Sequence, residues 1–186
     1  MKLLLKICAV LLAILAVGVI GVSYKLPREA VVKQSIVINA APEKIFPLLN
    51  NPTEWKRWSA WNTTYDPTLI YMYGGPLSGE GARQSWSGDK TGTWQMVFTT
   101  STAPDSLSYD LKQQGQTIVT KGAFTLQKYE NGTTLVTWLQ KTPLEDNILA
   151  LYKGVWFNYK TQNEVQQGLS NLNALITDTK HNTAKK

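Results

Sequence analysis

The run Ser35-Ile36-Val37-Ile38-Asn39-Ala40-Ala41-Pro42-Glu43-Lys44-Ile45-Phe46 changes its period half-way along. Before Ala40 the apolar side chains alternate, with Ile36 and Ile38 on one face, so Val31–Ala40 reads as a strand. From Pro42 the chain suits a helix start. Proline lacks only an N–H that the first turn leaves unused, and Glu43 favours the positive end of the helix dipole. Ile45, Phe46, Leu48 and Leu49 give that helix an apolar face, and Pro47 near its middle is expected to distort it. A single strand therefore feeds directly into a helix.

Further along the chain, Asn51-Pro52-Thr53-Glu54 starts a second short helix that runs to Trp58. Short strand-like runs follow, separated by turn residues: Leu69–Tyr73, Gly81–Ser87, Thr93–Thr100, Ser106–Lys112, Thr117–Gln127 and Thr134–Leu139. Gly88-Asp89-Lys90-Thr91-Gly92 and Glu130-Asn131-Gly132 mark hairpins. The glycines of Gly74–Gly81 read as a loop needing positive φ, since no Gly-Lys-Ser/Thr follows to make a phosphate cradle. The last element reads as a helix over Asp146–Asp178. Ile148, Tyr152, Val155, Tyr159, Val165, Leu169, Leu172 and Ile176 recur three or four apart, with a gap at Lys160–Glu164. The gap and Gly168 are expected to break it into two pieces. One long amphipathic helix against an antiparallel sheet is an α+β architecture.

Several motifs lie in an order that resembles a known group. They are the opening run quoted above; Asn51-Pro52 with Trp55, Trp58 and Trp61; Gly75-Pro76, Gly79 and Gly81-Ala82; Ser85-Trp86-Ser87-Gly88; and Gly168-Leu169, Asn171-Leu172 and Leu175. Over roughly residues 30–178 the chain is similar to the SRPBCC (START/Bet v 1-like) superfamily, of the polyketide cyclase/dehydrase and lipid-transport type. The resemblance implies a helix-grip fold: a seven-stranded antiparallel sheet wrapped around a long C-terminal helix, with two short helices after the first strand. It also implies a hydrophobic cavity between sheet and helix. Members bind lipids, sterols, polyketides, quinones or plant hormones, and some are enzymes.

Leu3–Val22 is apolar apart from Lys6, and reads as an N-terminal transmembrane helix or a cleaved signal segment. The anchor is preferred because the run exceeds a usual signal core. The expected division is an anchor over 1–24, a linker over 25–30, the domain over 31–178 and a disordered basic tail over 179–186. Lys2 and Lys6 favour a cytoplasmic N-terminus, hence a single-pass protein with its domain on the periplasmic or extracytoplasmic side; the alternative is secretion after cleavage. The net charge of +6 sits at the ends, since residues 30–179 carry 12 basic and 12 acidic side chains. A nucleic-acid partner, which needs a basic surface on the folded part, is not expected.

The lone histidine, His181, and lone cysteine, Cys8, lie in the tail and the apolar segment, so nucleophilic pairs and metal sites are not expected. No cofactor is expected and no catalytic residue is assigned. Glu145-Asp146 reads as a helix cap. Asn62-Thr63-Thr64 and Asn131-Gly132-Thr133 match glycosylation sequons by pattern. Tyr71, Trp86, Trp94, Trp138, Tyr152 and Trp156 are the expected pocket-lining candidates. The leading expectation is a membrane-tethered binder or carrier of a hydrophobic small molecule or lipid. One alternative is a cyclase-, dehydratase- or hydrolase-like enzyme using groups such as Arg83, Tyr71 or Glu80 in the same cavity. Another is a non-catalytic envelope interaction module with a closed core.

Overall fold

The computed structural model describes residues 2–23, 26–145 and 147–183. After helix α1 (Lys2–Ser23) come strand β1 (Glu29–Ile38), helix α2 (Pro42–Asn50), a 3-10 turn (Pro52–Glu54) and helix α3 (Trp55–Trp58). Six further strands follow: β2 (Ile70–Gly74), β3 (Arg83–Gly88), β4 (Gly92–Thr102), β5 (Ser106–Gln113), β6 (Val119–Lys128) and β7 (Thr134–Pro143). Helix α4 (Ile148–Thr183) closes the fold. The seven strands form one antiparallel sheet in the order β1-β7-β6-β5-β4-β3-β2. This is the α+β helix-grip arrangement expected from the sequence.

The turn chemistry does what its residues permit. Asn131 and Gly132 both adopt positive φ and join β6 to β7. The C-terminal carbonyls of α2 have no partner within the helix. The indole N–H of Trp55 donates to Leu49 O at 2.7 Å, and that of Trp58 to Leu48 O at 3.1 Å. The tryptophans of α3 thus cap the helix before it while their rings enter the core. There Trp55, Trp58, Phe98, Tyr109, Phe124 and Trp138 pack mostly edge to face, with Phe124 stacked on Trp138 at 4.7 Å.

Three expectations need correction. Helix α4 is unbroken across 160–168. Gly168 is a contact point and not a break: a Cβ there would lie 3.0 Å from the Trp138 ring, so the missing side chain lets the helix settle on the indoles. The apolar stripe read through Tyr152, Val155 and Tyr159 faces outward and is exposed, together with Leu149 and Trp156. The inner face of that half carries Leu151, Gly154 and Thr161 instead. At the helix start, Asn147 makes the cap, its Oδ1 accepting from Ala150 N at 2.7 Å; Asp146 lies outside the described residues.

The anchor is the third correction. Lys2–Ser23 is helical, yet among the described residues no helix is long and apolar enough to cross a membrane. Lys6 interrupts the segment one turn from its start. The uncharged run from Ile7 to Val22 falls short of the roughly 20 apolar residues a bilayer core requires. The single-pass topology and the extracytoplasmic placement built on it fall with it. A hydrogen bond ties α1 to α4, from the Tyr152 hydroxyl to Val19 O at 3.0 Å.

Candidate ligand-binding cavity

The inner face of the sheet changes character along its strands. At one end β5, β6 and β7 point Leu107, Phe124, Leu126, Val136 and Trp138 inward. Towards the other end the same faces carry Gln113, Thr120, Gln140 and Thr142. Helix α4 divides in the same place. Val165, Leu169, Leu172 and Ile176 are buried over the aromatic half, whereas Lys160, Thr161 and Glu164 face the polar half.

Tyr109 marks the boundary. It pairs across β6 with Gly122, which in turn pairs with Gln140 on β7. A Cβ on Gly122 would sit 2.0 Å from the Tyr109 ring, so only glycine lets the ring lie flat across the row. The Tyr109 hydroxyl then accepts from Trp138 Nε1 at 2.8 Å and from Gln140 Nε2 at 2.9 Å. Burial pushes this phenol well above the usual tyrosine value. One row further, the Thr120 and Thr142 hydroxyls hydrogen-bond each other at 2.7 Å. Tyr109, Gln140, Thr120 and Thr142 are thus hydrogen-bonded on the sheet, but the space above them is not filled.

That space is a cavity in two adjoining chambers of about 380 Å³ each, sharing Trp94, Leu111, Gln113, Thr120 and Phe157. The chamber next to the aromatic core is lined by Trp61, Tyr65, the 89–92 turn, Gln140, Trp156, Lys160, Thr161 and Glu164. The other chamber reaches Ile118, Pro143, Leu144, Ala150 and Gly154 at the start of α4. Volumes of this order suit small-molecule sites.

The rim is held by one buried carboxylate. Asp66 accepts from Thr68 N and its hydroxyl with one oxygen, and from Lys90 N and Thr91 N at 2.9 and 3.0 Å with the other. The hydroxyl of Thr68 and these backbone donors hold its carboxyl well below the ordinary aspartate value. They pin the 62–68 segment to the β3–β4 turn. Asn62 helps, its side chain accepting from Thr64 N and Tyr65 N and donating to Ser59 O, so this sequon asparagine serves the loop. Behind the rim, Trp61, Trp86 and Trp94 form a stack with ring centroids 5.4 and 6.5 Å apart.

Two carboxylates line the inner chamber: Asp89 on the β3–β4 turn and the half-buried Glu164 on α4. Burial raises its carboxyl above the ordinary glutamate value, against the opposing pull of Lys160 and the Trp61 side chain. Lys160 Nζ lies 3.8 Å away. Sequence reasoning passed over Glu164, although its signal was present: the polar gap at Lys160–Glu164 is the stretch that meets the cavity.

The candidates named from sequence are dispersed. Trp94 lines the cavity, and Trp156, largely exposed, borders its mouth. Trp86 is buried within the stack behind Trp94. Trp138 lies in the aromatic core, and Tyr152 is on the outer side of α4. Tyr71 donates to Trp61 O at 2.8 Å; burial pushes its phenol up to about 12, with the Tyr73 and Asp66 charges adding to the shift. Arg83 and Glu80 line neither chamber. Among the described residues no cluster of histidine, cysteine and acidic side chains could hold a metal.

A half-filled grip of this kind has relatives. The family model for polyketide cyclase / dehydrase and lipid transport matches residues 29–177. The chain belongs to this family. The family supplies the general function, an SRPBCC domain that binds hydrophobic ligands. Solved structures share the fold of this polyketide cyclase/dehydrase and lipid-transport member. A norcoclaurine synthase point mutant from Thalictrum flavum, in complex with a transition-state analogue, matches at 9% identity and a TM-score of 0.64, covering 82% of this chain and 96% of that one. The protein XoxI from Bacillus cereus matches at 16% identity and 0.59, covering 82% and 99%. The hypothetical protein jhp0584 from Helicobacter pylori matches at 10% and 0.60, covering 78% and 86%. At these identities the likeness is one of fold. No curated protein matches the chain.

Proposed function

We propose that the chain binds and carries a hydrophobic small molecule or lipid in the cavity between the sheet and the first half of α4. The observation behind this is the unfilled half of the grip. A domain that needed only stability would pack that volume with side chains, as it does over the aromatic half. Leu111, Phe157, Ile118, Leu144 and the indole of Trp94 offer apolar lining, and the satisfied threonine and glutamine side chains offer polar contacts that need no further rearrangement. Native mass spectrometry of the purified chain, followed by solvent extraction, tests this. A stoichiometric apolar adduct is the expected result. A chain that carries none and takes up none from added lipid extract would overturn it.

Glu164 favours a second reading at the same site. A carboxyl raised by burial and set beside a lysine is suited to holding or moving a proton. Cyclase- or dehydratase-like chemistry would use it as an acid or base on a bound substrate. Under that reading Glu164→Gln abolishes turnover of the extracted ligand while binding persists. Unchanged turnover in the variant removes Glu164 from any such role.

A further inference from the structure

The two chambers differ in polarity, and that difference bears on which ligand fits. The outer chamber ends on Ile118, Leu144 and Ala150. The inner one ends on Glu164, Thr161 and Gln140, against the closed aromatic core. An amphiphile would therefore lie with its polar end inward and its chain towards the start of α4. The charges are balanced at both ends. Lys90 and Lys160 line the inner chamber together with Asp89 and Glu164, and Lys153 lines the outer one together with Glu145.

We propose that the inner chamber selects a neutral amphiphile with a hydroxyl at its polar end, and that Glu164 accepts the hydrogen bond of that hydroxyl. This rests on the cavity-binding reading above. A carboxylate offers about four acceptor positions. Trp61 and Lys160, the latter at 3.8 Å, take up part of that capacity, and the Glu164 side chain is 22% exposed, so acceptor positions remain for a ligand. An anionic end would meet Glu164 as a like charge, and a cationic end would compete with Lys160 after losing its own hydration. A neutral hydroxyl meets neither obstacle. Its oxygen remains free to accept from Lys160.

Four probes test the proposal on the full chain, by titration of intrinsic tryptophan fluorescence. They are 1-decanol, its isomer 1-methoxynonane, decanoate and decylamine. Decanol is expected to bind about tenfold more tightly than the ether, which lacks only the donor. Both ionic probes are expected to bind more weakly than decanol. Glu164→Leu should bring decanol down to the level of the ether and leave the ether unchanged. Glu164→Gln should keep the preference, since its amide oxygen still accepts. Equal binding of alcohol and ether, tighter binding of either ionic probe, or a preference that survives Glu164→Leu would each overturn the proposal while leaving the cavity reading intact. If none of the four binds, the cavity reading falls and takes the proposal with it.

Discussion

Two carboxyls of the cavity region should respond to pH in opposite directions. The Glu164 value is raised on folding, so the native state holds that proton more tightly than the unfolded chain does. Its ionisation costs nothing below the ordinary value of 4.5 and its full amount above the raised one, so stability falls as pH rises through that window. Asp66 is depressed, so its contribution is complete above the ordinary value of 3.8 and is lost as pH falls below it. Thermal melts between about pH 3 and pH 8 should therefore separate two variants. Glu164→Gln should gain relative to wild type towards the alkaline side. Asp66→Asn should lose most there and converge with wild type in acid. Tyr109 gives a test without charge. In Tyr109→Phe the N–H groups of Trp138 and Gln140 lose their shared acceptor while remaining buried, which should cost about 2 kcal/mol or more in urea unfolding. An unchanged midpoint would mean that water replaces the hydroxyl.

Helix α4 shows where sequence periodicity succeeds and where it fails. Over Val165–Ile176 the apolar spacing picked out the buried face, because that half lies on a packed core. Over 149–159 the same logic selected the outer face, because the inward side covers a cavity and need not be apolar. Trp55 and Trp58 were legible as motif residues of the second short helix, but their role as caps of α2 depends on carbonyls made available by the fold. The strands were legible to within a few residues, because alternation and hairpin turns are local signals. The pocket was not, because it depends on which rows of β5, β6 and β7 come to lie under which turn of α4. Gly168→Val tests the helix contact. Branched carbons pushed against Trp138 should lift α4 and cost about 1–3 kcal/mol, read as a lower urea midpoint with unchanged slope.

The whole molecule divides its labour. One contiguous cluster of buried side chains joins the sheet, α2, α3 and the second half of α4, while the cavity occupies the remainder of the grip. Helix α1 adds little to that cluster: it meets α4 through the Tyr152–Val19 hydrogen bond, and Leu5, Leu11, Leu12 and Val17 are exposed. Deleting residues 1–25 should thus leave unfolding cooperative and shift stability by no more than about 0.5 kcal/mol. A larger loss would show that α1 braces the start of α4. The stack of Trp61, Trp86 and Trp94 has a consequence of another kind. Indoles stacked at 5.4 and 6.5 Å couple their ultraviolet excitations, and the strength of the resulting dichroism follows the twist between neighbouring rings. Two of the three rings line the cavity, so a molecule entering it should shift that twist and change the tryptophan dichroism without any label.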